Sequence, residues 1–209
     1  MQLADEIVRL FNFIGSLVCH QRPERTLWIG GSYLPVCARD TGALIGLLLG
    51  YGLLLLRRKK ANGPPHLPTT LAMMLPMLVD SFGQMFGFWS STNDVRLLTG
   101  LLFGTALAPM LVYALSLPPL KGRIPLVRRL QPYSADLGDK HSWLDSEALA
   151  VGLVLSGVLF LFTRALVGSE FVFYYWLLST LTVAGIVLHV FILPPLLLVF
   201  ALSGRVRRK

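Results

Sequence analysis

The chain has 209 residues, of which 54% are hydrophobic and only 14% charged, with a mean hydropathy of +0.64. Soluble domains carry about 45–50% apolar and ~25% charged residues, so this composition excludes a soluble globular enzyme and points to a polytopic membrane protein. The formal charge of +8 does not argue for nucleic acid. The basic residues fall in short clusters beside apolar runs, a pattern of membrane orientation and contact with anionic headgroups.

About 20 apolar residues cross a hydrocarbon core, and six segments approach that length. The first, Leu3 to Val18, is short and contains Asp5, Glu6 and Arg9. It reads either as a weak span or as an amphipathic helix lying in the interface. No basic stretch precedes it and no small-residue cleavage site follows, so it is a poor signal peptide. The second span runs from Ala38 to Leu56 and stops at Arg57, Arg58, Lys59 and Lys60. The third covers Thr69 to Trp89, the fourth Val95 to Leu117 and the fifth Leu149 to Val167. The sixth extends from about Phe171 to Leu202, where Pro194 and Pro195 are expected to kink the helix or end it early. The expected fold is therefore all-α, a polytopic transmembrane helical bundle of five or six spans. Three stretches follow: a membrane core over 1–117, a loop over 118–147, and two further helices with a basic tail over 148–209.

Basic residues orient the bundle. The loops after spans two and four and the C-terminal tail hold 13 of the 19 Lys and Arg residues. The positive-inside rule places these segments, and the C-terminus, in the cytoplasm. The loop from Cys19 to Cys37 and the turn Ser90 to Asp94 then lie on the outer face. Asp40 falls one turn inside the outer end of span two, and Asp80 about two turns below the outer end of span three, roughly 12 Å at 1.5 Å per residue.

Asp80 is the most costly of these residues. A carboxylate at mid-membrane costs about 2.5–3.5 kcal/mol on the lenient scale, so it is expected to face the bundle interior. Gln84 follows one turn later on the same face. Three readings of Asp80 stand: an ion pair with Arg39 or Arg96, a general acid or base with Asn93 and Arg96 as catalytic neighbours, and a proton or cation relay. Arg22, Arg25 and Arg39, with Gln84, suit the binding of a phosphate or carboxylate headgroup, since guanidinium groups bind both bidentately. Headgroup snorkelling explains Arg22 and Arg25 equally well. Asn93 also fits as the cap of span four.

Small residues recur at four-residue spacing: Gly42, Gly46 and Gly50 in span two, Gly83 and Gly87 in span three, Gly100 and Gly104 in span four. Such stripes let helix backbones approach closely in lipid, so spans two to four are expected to form a compact core. His189 is a lone polar residue in an apolar helix and reads as a packing residue. Tyr174, Tyr175 and Trp176 read as an aromatic belt.

Cys19 and Cys37 flank the outer loop. One reading is a disulfide pinning that loop in an oxidising compartment. Another is a metal site of Cys19, His20, Cys37 and Asp40 holding zinc, since all are good zinc ligands and Cys37-x-x-Asp40 has the spacing of a ligand pair. Unpaired thiols are the third. A thiol oxidoreductase is disfavoured, because neither a Cys-x-x-Cys nor a second cysteine pair is present.

The run Cys19-His20-Gln21-Arg22-Pro23-Glu24-Arg25, the segment Leu34-Pro35-Val36-Cys37-Ala38-Arg39-Asp40-Thr41-Gly42, and Asp80, Gln84, Ser91-Thr92-Asn93, Arg96 and Thr99-Gly100 together resemble a prokaryotic integral-membrane family, domain of unknown function 2085. The resemblance covers about the first half of the chain. It implies a prokaryotic cell membrane and an outer-face site, with no activity to transfer. Many members carry Cys where this chain has Asp40, an exchange that suits a metal ligand better than a redox partner. Three functional classes follow: an enzyme acting on a membrane lipid or isoprenoid headgroup, a small transporter using Asp80 and Arg96, and a structural protein clamped by a disulfide.

Overall fold

A computed structural model describes residues 2–56, 63–116, 142–143 and 146–206, with side chains at 4–56, 66–112 and 150–189. The basic clusters at 57–60 and 121–140 and the end of the tail lie outside the described residues. Among the described residues six α-helices carry the fold: α1 (Gln2–Ser16), α2 (Ala38–Leu56), α3 (Leu67–Met85), α4 (Asn93–Ser116), α5 (Ser146–Leu166) and α6 (Val172–Val206). The all-α membrane bundle stands. Three stretches among the described residues are long and apolar enough to cross a bilayer: Ala38–Leu56, Asn93–Val112 and Val172–His189; Ala150–Leu166 is a shorter apolar helix.

The middle of the bundle is the pair α2–α4. Gly42 faces the carbonyl of Leu97, Gly46 that of Leu101, Gly100 that of Arg39 and Gly104 that of Ala43. A Cβ on any of them would run into the opposing backbone. Two glycine stripes thus interlock, which fits the way membrane helices associate where apolar burial gives little drive. Leu47, Leu54, Ala106, Ala108 and Val112 fill the space beside them.

Span three departs from its expected packing. Only Thr70, Met73, Asp80 and Gly83 of α3 are buried, a spacing of three to four residues that turns one narrow stripe inward. Leu71, Leu75, Val79 and Phe82 remain exposed on its other side. Gly83 is covered by the Trp89 ring, not by a neighbouring helix. Gly87 has φ +74 and stops the helix, with Phe88 N–H donating to the Gly83 carbonyl at 2.8 Å, a left-handed cap that favours glycine. The Gly83–Gly87 pair is therefore a helix end and not a packing stripe. For that reason the helix ends at Met85, short of Trp89.

The loop between α1 and α2 contains a hairpin that the all-α expectation omitted. Strand β1 (Thr26–Ile29) pairs antiparallel with β2 (Ser32–Cys37), joined by Gly30 and Gly31 at φ +60 and +80. Two positive φ values in a two-residue connection match the right-handed twist of a hairpin. Leu27, Ile29, Leu34 and Val36 point into the protein, while Trp28 and Tyr33 stack edge-on at 4.7 Å on the exposed side. The hairpin is bolted to the turn between α5 and α6: Gly30 N–H donates to the Ser169 carbonyl at 2.7 Å, and Gly168 N–H to that of Trp28 at 2.9 Å.

Helix α1 has 15 residues, about 22 Å at 1.5 Å per residue, too short for a core of about 30 Å. Its Gly15 rests on the Pro35 carbonyl of β2, and Phe11 packs edge-on against Trp176 at the start of α6, 6.0 Å between ring centres. Tyr175 is buried against Gly30. Tyr175 thus packs inside the protein, while Trp176 and Tyr174 are half-buried. Helix α6 does not end at Pro194 and Pro195 but continues to Val206. Membrane helices tolerate proline because neighbouring turns and side chains take up the freed backbone groups. At the opposite end from the hairpin, β3 (Gly63–Pro65) pairs with β4 (Ser142–Trp143).

Candidate functional site

Two side-chain groups lie at the hairpin end. The first joins the loop after α1 to the start of α2. Gln21, at φ +51, donates its side-chain amide to the carbonyls of Asn12 at 2.6 Å and Pro35 at 2.8 Å. This staple folds the loop back over β2 and sets Cys19 beside Cys37. The Cys19 sulfur accepts the Cys37 backbone N–H at 3.2 Å and the Gln21 N–H at 3.5 Å. The Cys37 thiol donates to Asp40 Oδ2 at 3.2 Å. The two cysteines are not bonded to each other, and both are half-buried.

The donor atoms of Cys19, Cys37 and Asp40 all lie within 4.8 Å of one another. Two thiolates on one tetrahedral zinc sit about 3.8 Å apart, so a small closure brings the set to ligand spacing. His20, the fourth expected ligand, is exposed and stands outside this triad, though it lines the same cavity. Adjacent residues project in different directions, and Cys19 takes the inward place. The Cys37 side chain beside it pulls the Cys19 thiol down to about 7, against the opposing effect of burial. The same partnership, with burial and the Asp40 charge, pushes Cys37 up. Cys19 is the more acidic of the two sulfurs.

The triad opens onto a cavity of about 230 Å³ lined by Val18, His20, Gln21, Arg22 and Arg25 as well as the three donors. Its wall therefore combines a potential cation site with two guanidinium groups. A second, apolar cavity of about 430 Å³ shares Val18 and Asp40 with it and continues between the helices to His189.

The second group is a continuous polar chain across α2, α3 and α4. Arg39 pairs with Asp80. Gln84 donates to Asp80 Oδ2 at 3.1 Å, and Arg96 donates to Gln84 Oε1 at 3.0 Å and to Asn93 Oδ1 at 2.8 Å. Asn93 in turn donates to the Glu24 carbonyl at 3.4 Å, tying the chain to the loop before the hairpin. Asp80, 5% exposed, and Arg96, 8% exposed, are both buried. Of the expected partners for Asp80, Arg39 is the direct one, and Arg96 is reached through Gln84. Asn93 is not the cap of α4: Thr92 Oγ1 takes the Val95 N–H at 3.3 Å, which frees the Asn93 side chain for the network. Asp80, Asn93 and Arg96 do not line the cavity beside the cysteines. Glu24, whose carbonyl ends the chain, and Gln21, whose amide builds the triad's loop, were not singled out in the sequence. Gln21 carries a signal only in its place beside Cys19-His20, and a main-chain acceptor such as Glu24 carries none.

Residues 19–110 match the model of a family described as "Predicted membrane protein (DUF2085)". The chain is 36% identical over 91 residues to an uncharacterised protein of Methanothermobacter thermautotrophicus, covering 44% of this chain and 81% of that protein. It is 34% identical over 90 residues to an uncharacterised protein of Methanocaldococcus jannaschii, covering 43% of this chain and 58% of that protein. No solved structure matches significantly. The matched segment begins at Cys19 and holds both polar groups, the hairpin, α2, α3 and most of α4; α1, α5 and α6 fall outside it.

Proposed function

Because the chain belongs to the DUF2085 family of predicted membrane proteins, we propose that it is a multi-pass protein of a prokaryotic cell membrane, with its C-terminus cytoplasmic and a zinc site on the outer face. Cys19, Cys37 and Asp40 hold the ion. The observation that carries this reading is the mutual approach of three donor atoms within 4.8 Å on two elements that the Gln21 staple holds together. Three protein ligands leave a fourth position for water or substrate, the pattern of catalytic rather than structural zinc. Arg22 and Arg25 beside that position suit an anionic lipid or isoprenoid headgroup. The matching chemistry is hydrolysis. A zinc ion held by Cys19, Cys37 and Asp40 would supply a Lewis acid and an acidified water for cleaving a headgroup ester, with Arg22 and Arg25 holding the anion beside it.

Asp80 has a different part in this proposal. It neutralises Arg39 next to Asp40, and with Gln84, Arg96 and Asn93 it fixes the start of α2 against α3 and α4. These are positioning residues, because they face one another and not the cavity.

One alternative rests on the same geometry. The Cys37 N–H reaches the Cys19 sulfur at 3.2 Å, and cysteines this close are also within range of a disulfide clamp. Elemental mass spectrometry and free-thiol counting on one detergent-purified sample separate the two. Near-stoichiometric zinc that is lost in Cys37→Ala and kept in His20→Ala is the expected result. No metal and no free thiols would replace the zinc site by the clamp.

A further inference from the structure

The apolar cavity continues from the polar one. Its floor and walls are Leu44, Leu47, Met77, Phe103, Leu107 and Ile186, apolar throughout, and its mouth is shared with the zinc triad at Asp40 and Val18. At about 430 Å³ it falls within the range of ~300–1,000 Å³ found for small-molecule sites. On α2 the lining runs from Asp40 to Leu47, seven residues or about 10 Å at 1.5 Å per residue. The cavity therefore combines room for part of one lipid chain with a charged entrance.

We propose that this cavity takes one hydrocarbon chain of an anionic, phosphomonoester-bearing membrane lipid whose headgroup sits among Arg22, Arg25 and the zinc ion. This deepens the preceding reading and rests on it, since the Asp40 carboxylate repels a phosphate unless a cation lies between them. Charge and continuity select this occupant over bulk lipid: the exposed apolar faces at Leu75, Val79 and Val154 have no such polar cavity beside them in the residues described. At the inner end the His189 Nδ1 is buried without a hydrogen-bond partner. A chain that stops short of it leaves room for the water which that nitrogen requires.

The test uses the full chain in phosphatidylcholine nanodiscs, with phosphatidic acid carrying a photoactivatable diazirine near the end of one acyl chain. Crosslinked residues are mapped by peptide mass spectrometry, and zinc is measured on the same samples. Labelling is expected to concentrate on Met77, Phe103, Leu107 and Ile186 and to be competed by unlabelled phosphatidic acid but not by phosphatidylcholine or inorganic phosphate. Competition by inorganic phosphate would mean that the site reads a free anion, and would overturn the lipid assignment. Arg22→Gln with Arg25→Gln should lower cavity labelling about tenfold, the effect of losing one or two charge-assisted contacts. Met77→Trp, at a half-buried wall position able to take a larger side chain, should abolish labelling deep in the cavity while zinc is retained. Labelling spread evenly over Leu75, Val79 and Val154 and indifferent to the arginines would overturn the proposal even with zinc bound. Cavity-directed labelling without any metal would overturn the zinc reading and, with it, the headgroup placement proposed here, leaving only an apolar chain site.

Discussion

Replacing Asp80 by leucine leaves the Arg39 guanidinium without its counter-ion in the interior. The side chains of Arg39 and Asp80 are 19% and 6% exposed, so the pair is largely desolvated. Breaking a buried pair by removing one partner costs about 3–5 kcal/mol. The remaining exposure of Arg39 argues for the lower end, about 3 kcal/mol. Loss of the acceptor for Gln84, now 3.1 Å away, adds about 1 kcal/mol. Asp80→Leu should therefore lose about 4 kcal/mol, whereas Asp80→Asn, which keeps an oxygen for Gln84, should lose less. The decisive variant is the double, Asp80→Leu with Arg39→Met. Replacing both members of a buried pair by apolar side chains is often neutral, so it should recover most of the loss. Equilibrium unfolding in mixed micelles, followed by far-ultraviolet circular dichroism, measures all three. If Asp80→Leu matches the wild type within about 0.5 kcal/mol, a typical surface effect, or the double variant is no better than the single, the pairing of Asp80 with Arg39 is not what holds α2 to α3.

Alkylation of Cys19 should be half-maximal near pH 7, because its thiol is lowered to about 7 and the thiolate is the reactive form. In Cys37→Ala the half-point should rise toward the ordinary value of 9.0, since the Cys37 side chain is the largest cause of the lowering; an unchanged pH profile would contradict that cause. Gly104→Val should destabilise by at least about 1–3 kcal/mol, the range for overpacking, because its Cβ would meet the Ala43 backbone. Gly52→Ala, with nothing within 4 Å, should leave unfolding unchanged or slightly harder. The ion pair between Arg164 and Asp94 has side chains 51% and 45% exposed, so Asp94→Ala should cost under about 1 kcal/mol in the same unfolding assay.

Periodicity and composition carried the sequence reading furthest where one residue type answers to one local force. Hydrocarbon length bounded the helices, and Ala38 to Leu56 matches α2 to the residue. The cost of an unpaired carboxylate in lipid turned Asp80 inward before any partner was known. The glycine stripes of spans two and four predicted close packing, because a missing Cβ is useful only against another backbone. The stripe in span three misled, since glycine also serves helix ends, and only the φ of Gly87 separates the two uses.

The sequence by itself therefore determined the membrane class, the helices, the inward carboxylate and the set of residues that gather at one end. Tertiary structure decided which of them touch. The hairpin was written in Thr-Leu-Trp-Ile, Gly30-Gly31 and the alternating segment after them, but short strands compete poorly with surrounding helical signals until β1 finds the α5–α6 turn. Cys19 rather than His20 joined Cys37 and Asp40 because the Gln21 amide folds the loop onto Asn12 and Pro35, contacts with no spacing rule. Arg39 rather than Arg96 met Asp80 because the interlocked glycines of α2 and α4 fix the height and rotation of those helices. Partner choice among like-charged residues depends on sub-turn rotations of packed helices, which composition and periodicity do not encode.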